Sequence, residues 1–451
     1  MIDNRIPLAQ VPIYITEQPN QTIHLYSGPM ELHQANIVEQ GQANVAFVWL
    51  PYPRVRFEFN NDNISARLKL DDPRVLPTVM KLPALGISVG TSIRSISPDH
   101  QTKQLRIIGQ PLDDLIIGPG NNLASVVFHL PNFHQYQGYG IRSTGKVWGG
   151  RIKFEAAGWV VTIDSIDSDQ SIEKSLETVG GYGITHVGRL ERSDQSAFDA
   201  DAASDVLDCL FYLFSFARGF WLPPLLHVGF DNNENKVWER WCDWKSSPWQ
   251  HVDSWFPEQG HNCLAAMFPG FIKKYQDPVW GDTCRLVIDW YVQSNTSITE
   301  QSLVLSQTAL ELLAWVTLVE EGGNLGEDGF KKIRASDKLR LLLSQTAVSL
   351  AIPTSQNNLK DLLKNEKWQD GPQAITEIRN RLVHPKVTRQ PITNPPKKTS
   401  PIKPKNALGY PMSARYEAMQ LGLWYIEQVL MHIFSYKGPY DSNRLEKYVI
   451  S

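Results

Sequence analysis

The spacing of the apolar residues changes once along this chain, near residue 200, and that change limits the fold more than any other feature. Upstream, apolar and polar residues alternate. In RVRFEF, Val55, Phe57 and Phe59 alternate with Arg54, Arg56 and Glu58. In ISARLKL, Ile64, Ala66, Leu68 and Leu70 share a face, and in GWVVTID so do Trp159, Val161 and Ile163. A period of two sets one face in a core and the other in water. Pro and Gly interrupt these runs at short intervals, as an antiparallel sandwich or barrel requires. Downstream, apolar residues recur at helical spacing. The chain therefore reads as an α+β multidomain protein: a strand-rich N-terminal domain over 1–195, a helix-hairpin connector over 196–276, and an all-α helical bundle over 277–451.

The connector opens with an apolar helix, Asp205 to Phe216, stopped at Gly219. Two apolar runs around Asp231–Asn235 then predict a hairpin. Six of the 14 tryptophans fall between Trp221 and Trp255. They are not spaced along a basic strand, so they read as packed mass rather than a base-stacking platform.

In the bundle, Ser297-Ile298-Thr299-Glu300 has the pattern of a capping box, and the helix it opens is expected to run to Gly322-Gly323. A second helix, Lys338 to Leu350, stops before Pro353, and Gly371-Pro372 opens a third. The last helix, about Ser413 to Tyr436, repeats Met419, Leu423, Ile426, Leu430 and Ile433 as a bundle seam. Between the third and last helices, residues 385–405 hold six prolines, five lysines and Arg389 with no acid. That segment cannot bury a core and reads as a basic, mobile loop.

Several function classes are disfavoured. A formal charge of −3 provides no global field for nucleic acid, so a basic site has to be local. The four cysteines make no Cys-x-x-Cys pair and read as reduced, packed thiols of a cytoplasmic protein. The N-terminal residues lack a basic segment followed by an apolar run, and no run of about 18 apolar residues occurs, so neither a signal peptide nor a membrane span is expected. Phosphate-loop, His-Glu-x-x-His and Gly-x-Ser-x-Gly patterns are missing, and His129 and His134 in FHLPNFHQ lack an evident third metal ligand.

One stretch points to chemistry: EIRNRLVHP, Glu377 to Pro385. At 100° per residue and with Arg379 at zero, Ile375, Ile378 and Leu382 fall between about −40° and −100°, the core stripe. Asn380 and His384 fall near about 100° and 140°, one turn apart. Arg379 is then half-covered by its own bundle, and a second copy about a two-fold axis would cover the Asn380 and His384 side, forming a cationic cleft. The bland alternative is a polar pair capping a helix end, with Glu311 a structural salt-bridge partner of Arg379.

RNRLVH at 379–384 resembles the Arg-polar-(x)-His motif of the HEPN superfamily, small helical domains found in many prokaryotic ribonucleases of defence and toxin systems. The resemblance covers about residues 277 to 451. The layout as a whole, with FSFARG, the DNN…VWERW hairpin and YKGPYDSNR at 436–444, is similar to ApeA-like anti-phage proteins. The resemblance implies a homodimer that cleaves RNA with the 2′-hydroxyl, without a metal or other cofactor. The strand-rich half shows no chemistry of its own, so by elimination it reads as a recognition or autoinhibitory part that binds a phage-derived trigger. It implies catalytic roles for Arg379, Asn380 and His384, with Glu311 where such domains often carry an acid.

The residue types agree with that chemistry. His384 can act as base or acid. Arg379 forks onto phosphate oxygens that gain charge in the transition state. Asn380 can donate to a phosphate oxygen or hold the imidazole in one tautomer. Arg381 is either a further cation in the cleft or part of a solvated face, and Lys386, Arg389, Lys397 and Lys398 of the loop either hold an RNA backbone or form a solvated linker. A rival class is a non-catalytic binding or dimerisation module with a ligand- or protein-sensing β domain.

Overall fold

The computed structural model describes residues 6–62, 68, 77–99, 104–143, 145–166, 171–257, 260, 262–384, 409–440 and 445. The chain divides into a strand-rich unit (1–214, 221–251 and 258–265) and a helical unit (215–220, 252–257 and 266–451). It is an α+β protein, with antiparallel barrel and sheet in the first unit and helices in the second.

Six strands close a barrel: β1 (Ile23–Gln34), β2 (Ile37–Val48), β3 (Arg54–Asn61), β4 (Thr78–Leu82), β5 (Ile87–Asp99) and β6 (Gln104–Pro111). Their order is β1-β2-β3-β6-β5-β4, and β4 pairs back onto β1. The alternation in β3 is the one expected: Val55, Phe57 and Phe59 are buried while Arg54, Arg56 and Glu58 face outward. Met30, Leu32, Val45, Phe47, Met80 and Ile107 join them inside, so the barrel is filled by side chains. Of ISARLKL, only Leu68 lies within the described residues, and it is buried.

An eight-stranded antiparallel sheet follows, built from β7 (Leu115–Ile117), β8 (Ser125–Pro131), β9 (Tyr139–Ser143), β10 (Lys146–Ala156), β11 (Trp159–Ser165), β12 (Ile184–Arg192), β13 (Leu225–Phe230) and β14 (Lys236–Trp241). The order is β7-β14-β13-β8-β12-β11-β10-β9. Every residue of the central β8 is buried. The hairpin expected around Asp231–Asn235 forms, but β13 hydrogen-bonds to β8, so the hairpin is sheet rather than connector. Trp221, Trp238, Trp241 and Trp249 are core mass here, with Trp221 stacked on Phe211 at 5.1 Å. Two helices belong to this part of the chain, α1 (Ser171–Val179) and α2 (Ala200–Arg218), the latter ending on Gly219 at φ +80°.

The segment before β1 is pinned to the sheet by a buried histidine. His129 Nε2 accepts from the backbone N–H groups of Ile13 and Tyr14 at 3.1 and 3.0 Å, while Nδ1 lies 3.2 Å from Leu226 O. The ring is therefore a neutral tautomer that donates from Nδ1.

The helical unit contains α3 (Cys263–Tyr275, from Ala266 onward), α4 (Gly281–Thr296), α5 (Thr299–Trp315), α6 (Glu327–Lys332), α7 (Ala335–Gln345), α8 (Asn357–Glu366), α9 (Gly371–Val383) and α10 (Met412–Ile433). Three expectations change. The capping box does not form: Ile298 is the N-cap without a side-chain bond, and Glu300 instead pairs with Arg415, which is 7% exposed at its side chain. α5 ends at Trp315 and passes into a π-helical turn, Val316–Glu321, before Gly322. α10 is not a one-sided seam. From Ala418 to Glu427 every residue is buried, because a helix apolar on all sides takes the centre of a bundle.

The four cysteines are free and buried. By length and composition one stretch among the described residues, Thr299–Glu321, is apolar enough to cross a bilayer, with mean hydropathy 1.6. Its window is 61% buried inside the protein, the condition of a core helix.

Candidate functional site

α9 carries the candidate site, and its start is tightly fixed. Asp370 is the N-cap, accepting from Gln373 N at 3.0 Å, and its carboxylate is gripped by Arg340 Nε at 2.6 Å. Pro372 occupies the first turn, where no N–H is needed. Ala374, Ile375 and Ile378 are fully buried against α5, α7 and α10. The core stripe read from the sequence is thus the packed face, with Leu382 only half-buried at its far end.

The last turns place the polar groups. Arg379 and Asn380 are half-buried, and Arg379 Nη1 donates to Asn380 Oδ1 at 3.3 Å. Arg379 Nε is shut off from solvent and has no hydrogen-bond partner among the described residues. His384 is the C-cap: its N–H donates to Asn380 O at 2.8 Å, and its side chain is exposed. The structure thus brings Arg379 and Asn380 into contact and ends the helix at His384, on a backbone bond to Asn380. The C-terminal end of the helix dipole favours a cation there.

Glu311 does not pair with Arg379 among the described residues. It sits half-buried on α5 and accepts from Gln307 Nε2 at 2.8 Å, one turn away on the same helix. The structural salt bridge considered from the sequence is therefore not what engages this acid. Arg381 is not a free surface cation either. Gly409 lies so close that a Cβ there would meet Arg381 Cγ at 2.4 Å. The neighbouring Tyr410 packs on the Trp368 ring at 5.5 Å. Burial raises the pKa of the Tyr410 hydroxyl, the Glu366 and Glu377 carboxylates add to that shift, and Arg381 opposes it. Arg381 therefore packs against the backbone at Gly409. Lys386, Arg389, Lys397 and Lys398, assigned to RNA binding from the sequence, lie outside the described residues.

The sequence reading missed a second polar centre in this unit. Glu427 on α10 is fully buried and accepts from Tyr291 Oη at 2.6 Å and Tyr440 Oη at 2.5 Å. Two phenol donors satisfy a carboxylate that could not otherwise be buried. The signal was available: Glu427 is a lone acid within QLGLWYIEQVL.

Fold and site together define a class: an α+β protein of two units whose helical unit ends one helix in an Arg-Asn pair and a C-capping histidine. Comparison with known proteins then places the chain near one named group. Residues 118–252 match the family model described as the YopA central domain, and residues 277–451 match that of the YopA C-terminal domain. The chain is 28% identical over 436 residues to the SPbeta prophage-derived uncharacterized protein YopA of Bacillus subtilis (strain 168), covering 96% of this chain and 93% of that protein. No solved structure matches.

Proposed function

We propose that this chain is a metal-independent endoribonuclease of the HEPN type, acting in the cytoplasm as a homodimer in anti-phage defence. The observation that carries the reading is Arg379. Its guanidinium is half-buried, touches Asn380, and is paired with no carboxylate among the described residues. A structural arginine at that depth is ordinarily ion-paired, so this one is available for an anion.

In the reaction, the ribose 2′-oxygen attacks phosphorus, the 5′-oxygen leaves, and a 2′,3′-cyclic phosphate remains. His384 moves protons between these oxygens and solvent, which its exposed position permits. Arg379 and its counterpart in a second copy neutralise the phosphorane oxygens, and Asn380 orients Arg379. No cofactor is called for. The strand-rich unit receives a phage-derived trigger, and the basic loop holds the RNA backbone.

Expression in bacteria tests this. The wild type is expected to arrest growth and fragment total RNA, with or after phage infection, and the Arg379→Ala/His384→Ala variant is expected to do neither. Identical behaviour of the two would favour a binding or dimerisation module instead.

A further inference from the structure

On the outside of the barrel three arginines surround one concavity. Arg54 and Arg56 stand two residues apart on the outer face of β3, roughly 6.5 Å along the strand. Arg94 comes from β5, two strands away through β6. The β5–β6 register slips between Ile93 and Ser95, so Arg94 is the extra residue of a bulge. Bulges re-aim a side chain, and this one sends a third guanidinium to the pocket that Arg54 and Arg56 line. The cavity is about 230 Å³, is lined also by Ser95, Ile108 and Gln110, and has no carboxylate in its lining.

Internal partners do not account for this charge. Arg54 is tethered, donating to Tyr52 Oη at 2.8 Å and Gln110 Oε1 at 3.2 Å with its plane on the Tyr52 ring, yet its Nε is buried and unpartnered. The Asp243 carboxylate, held by Val55 N at 2.8 Å, offsets part of the Arg54 charge. Arg56 and Arg94 have no ion-pair partner among the described residues. Further along the same face Glu58 is taken up by Arg106 at 2.5 Å. The cationic region is thus a pocket and not a track.

We infer that this pocket binds the phosphate group of a small phosphorylated ligand. Guanidinium forks match phosphate oxygens, and three of them around one concavity recognise a dianion better than isolated charges do. A cavity below about 300 Å³ holds the phosphate and leaves the rest of the ligand outside it. A nucleic-acid backbone would need the continuous positive path that the Glu58–Arg106 pair interrupts. This site is separate from the α9 residues and does not rest on the ribonuclease reading.

Isothermal titration of the full chain in phosphate-free buffer tests the inference, using AMP and pyrophosphate as probes, with adenosine and matched sodium chloride as controls. AMP and pyrophosphate are expected to bind and adenosine not. Arg56→Ala/Arg94→Ala should weaken binding at least tenfold, whereas Lys153→Ala, at an exposed position of β10 outside the pocket lining, and Arg379→Ala/His384→Ala should bind as the wild type does. Failure of both phosphates to bind the wild type overturns the inference. So does binding that survives in Arg56→Ala/Arg94→Ala or is lost in Arg379→Ala/His384→Ala.

Discussion

Arg379 donates to the side chain of its own chain neighbour, Asn380, and to no carboxylate among the described residues. Consecutive residues on a helix point about 100° apart, so the long arginine folds back across the helix surface to reach the amide. The bond is a weak one at 3.3 Å, and it costs little to exchange for a phosphate oxygen. On that basis Arg379→Ala should reduce RNA cleavage by about 10²–10³-fold, the loss typical of one oxyanion donor. It should leave the thermal midpoint within a few degrees of the wild type. Single-turnover cleavage and thermal denaturation of the same preparation check both halves.

The Glu427 centre predicts a graded stability loss. Tyr291→Phe removes one neutral donor and should cost about 1–2 kcal/mol. Glu427→Ala strands two phenol donors in the core and should cost about 3 kcal/mol or more. Urea unfolding of the two variants gives the order, and equal costs would contradict the geometry.

Gly270 on α3 allows a backbone approach that no other residue would. A Cβ at that position would lie 1.7 Å from the Phe434 carbonyl oxygen, a backbone atom that cannot swing aside. Gly270→Ala should destabilise the helical unit by about 2–3 kcal/mol, although alanine is the better helix former. A neutral or stabilising effect in urea unfolding would show the contact to be absent.

Buried histidines set an acid limit on the strand-rich unit. Burial lowers the pKa of His129 to about 4 and those of His186 and His227 to about 3. These folded values lie below the unfolded value of about 6.5. The neutral rings therefore contribute their full stability above pH about 6.5, and that contribution is lost as pH falls from there through about 4 and then about 3. Protonated His129 can no longer accept from Ile13 N and Tyr14 N, so the leading segment should come free first. Denaturation midpoints across pH 3 to 7 should fall toward acid, with a shallower fall in His129→Gln.

How much of this was legible depended on how local the cause was. Val55, Phe57 and Phe59 announce a strand because alternation is a property of neighbours. The 225–241 hairpin was equally legible, yet its place in the sheet was not, because its partner β8 lies about a hundred residues upstream. The α10 spacing suggested a seam, and Gly422, Gln420 and Glu427 hid the fact that the helix is buried on all sides. At the site, the Arg379–Asn380 adjacency and the stop at His384 follow from one helix and were readable. The Arg381–Gly409 contact was not, since the two residues are far apart along the chain. Glu300 had the sequence of a cap but met Arg415, a stronger partner.

The central claim is that Arg379, Asn380 and His384 make a ribonuclease site, and the termini of the RNA products test it most directly. Purified wild type should yield fragments ending in 2′,3′-cyclic phosphate in the presence of EDTA, and His384→Ala, folded to the same thermal midpoint, should yield none. Cleavage that persists unchanged in His384→Ala, or products ending in 3′-hydroxyl, would contradict the account.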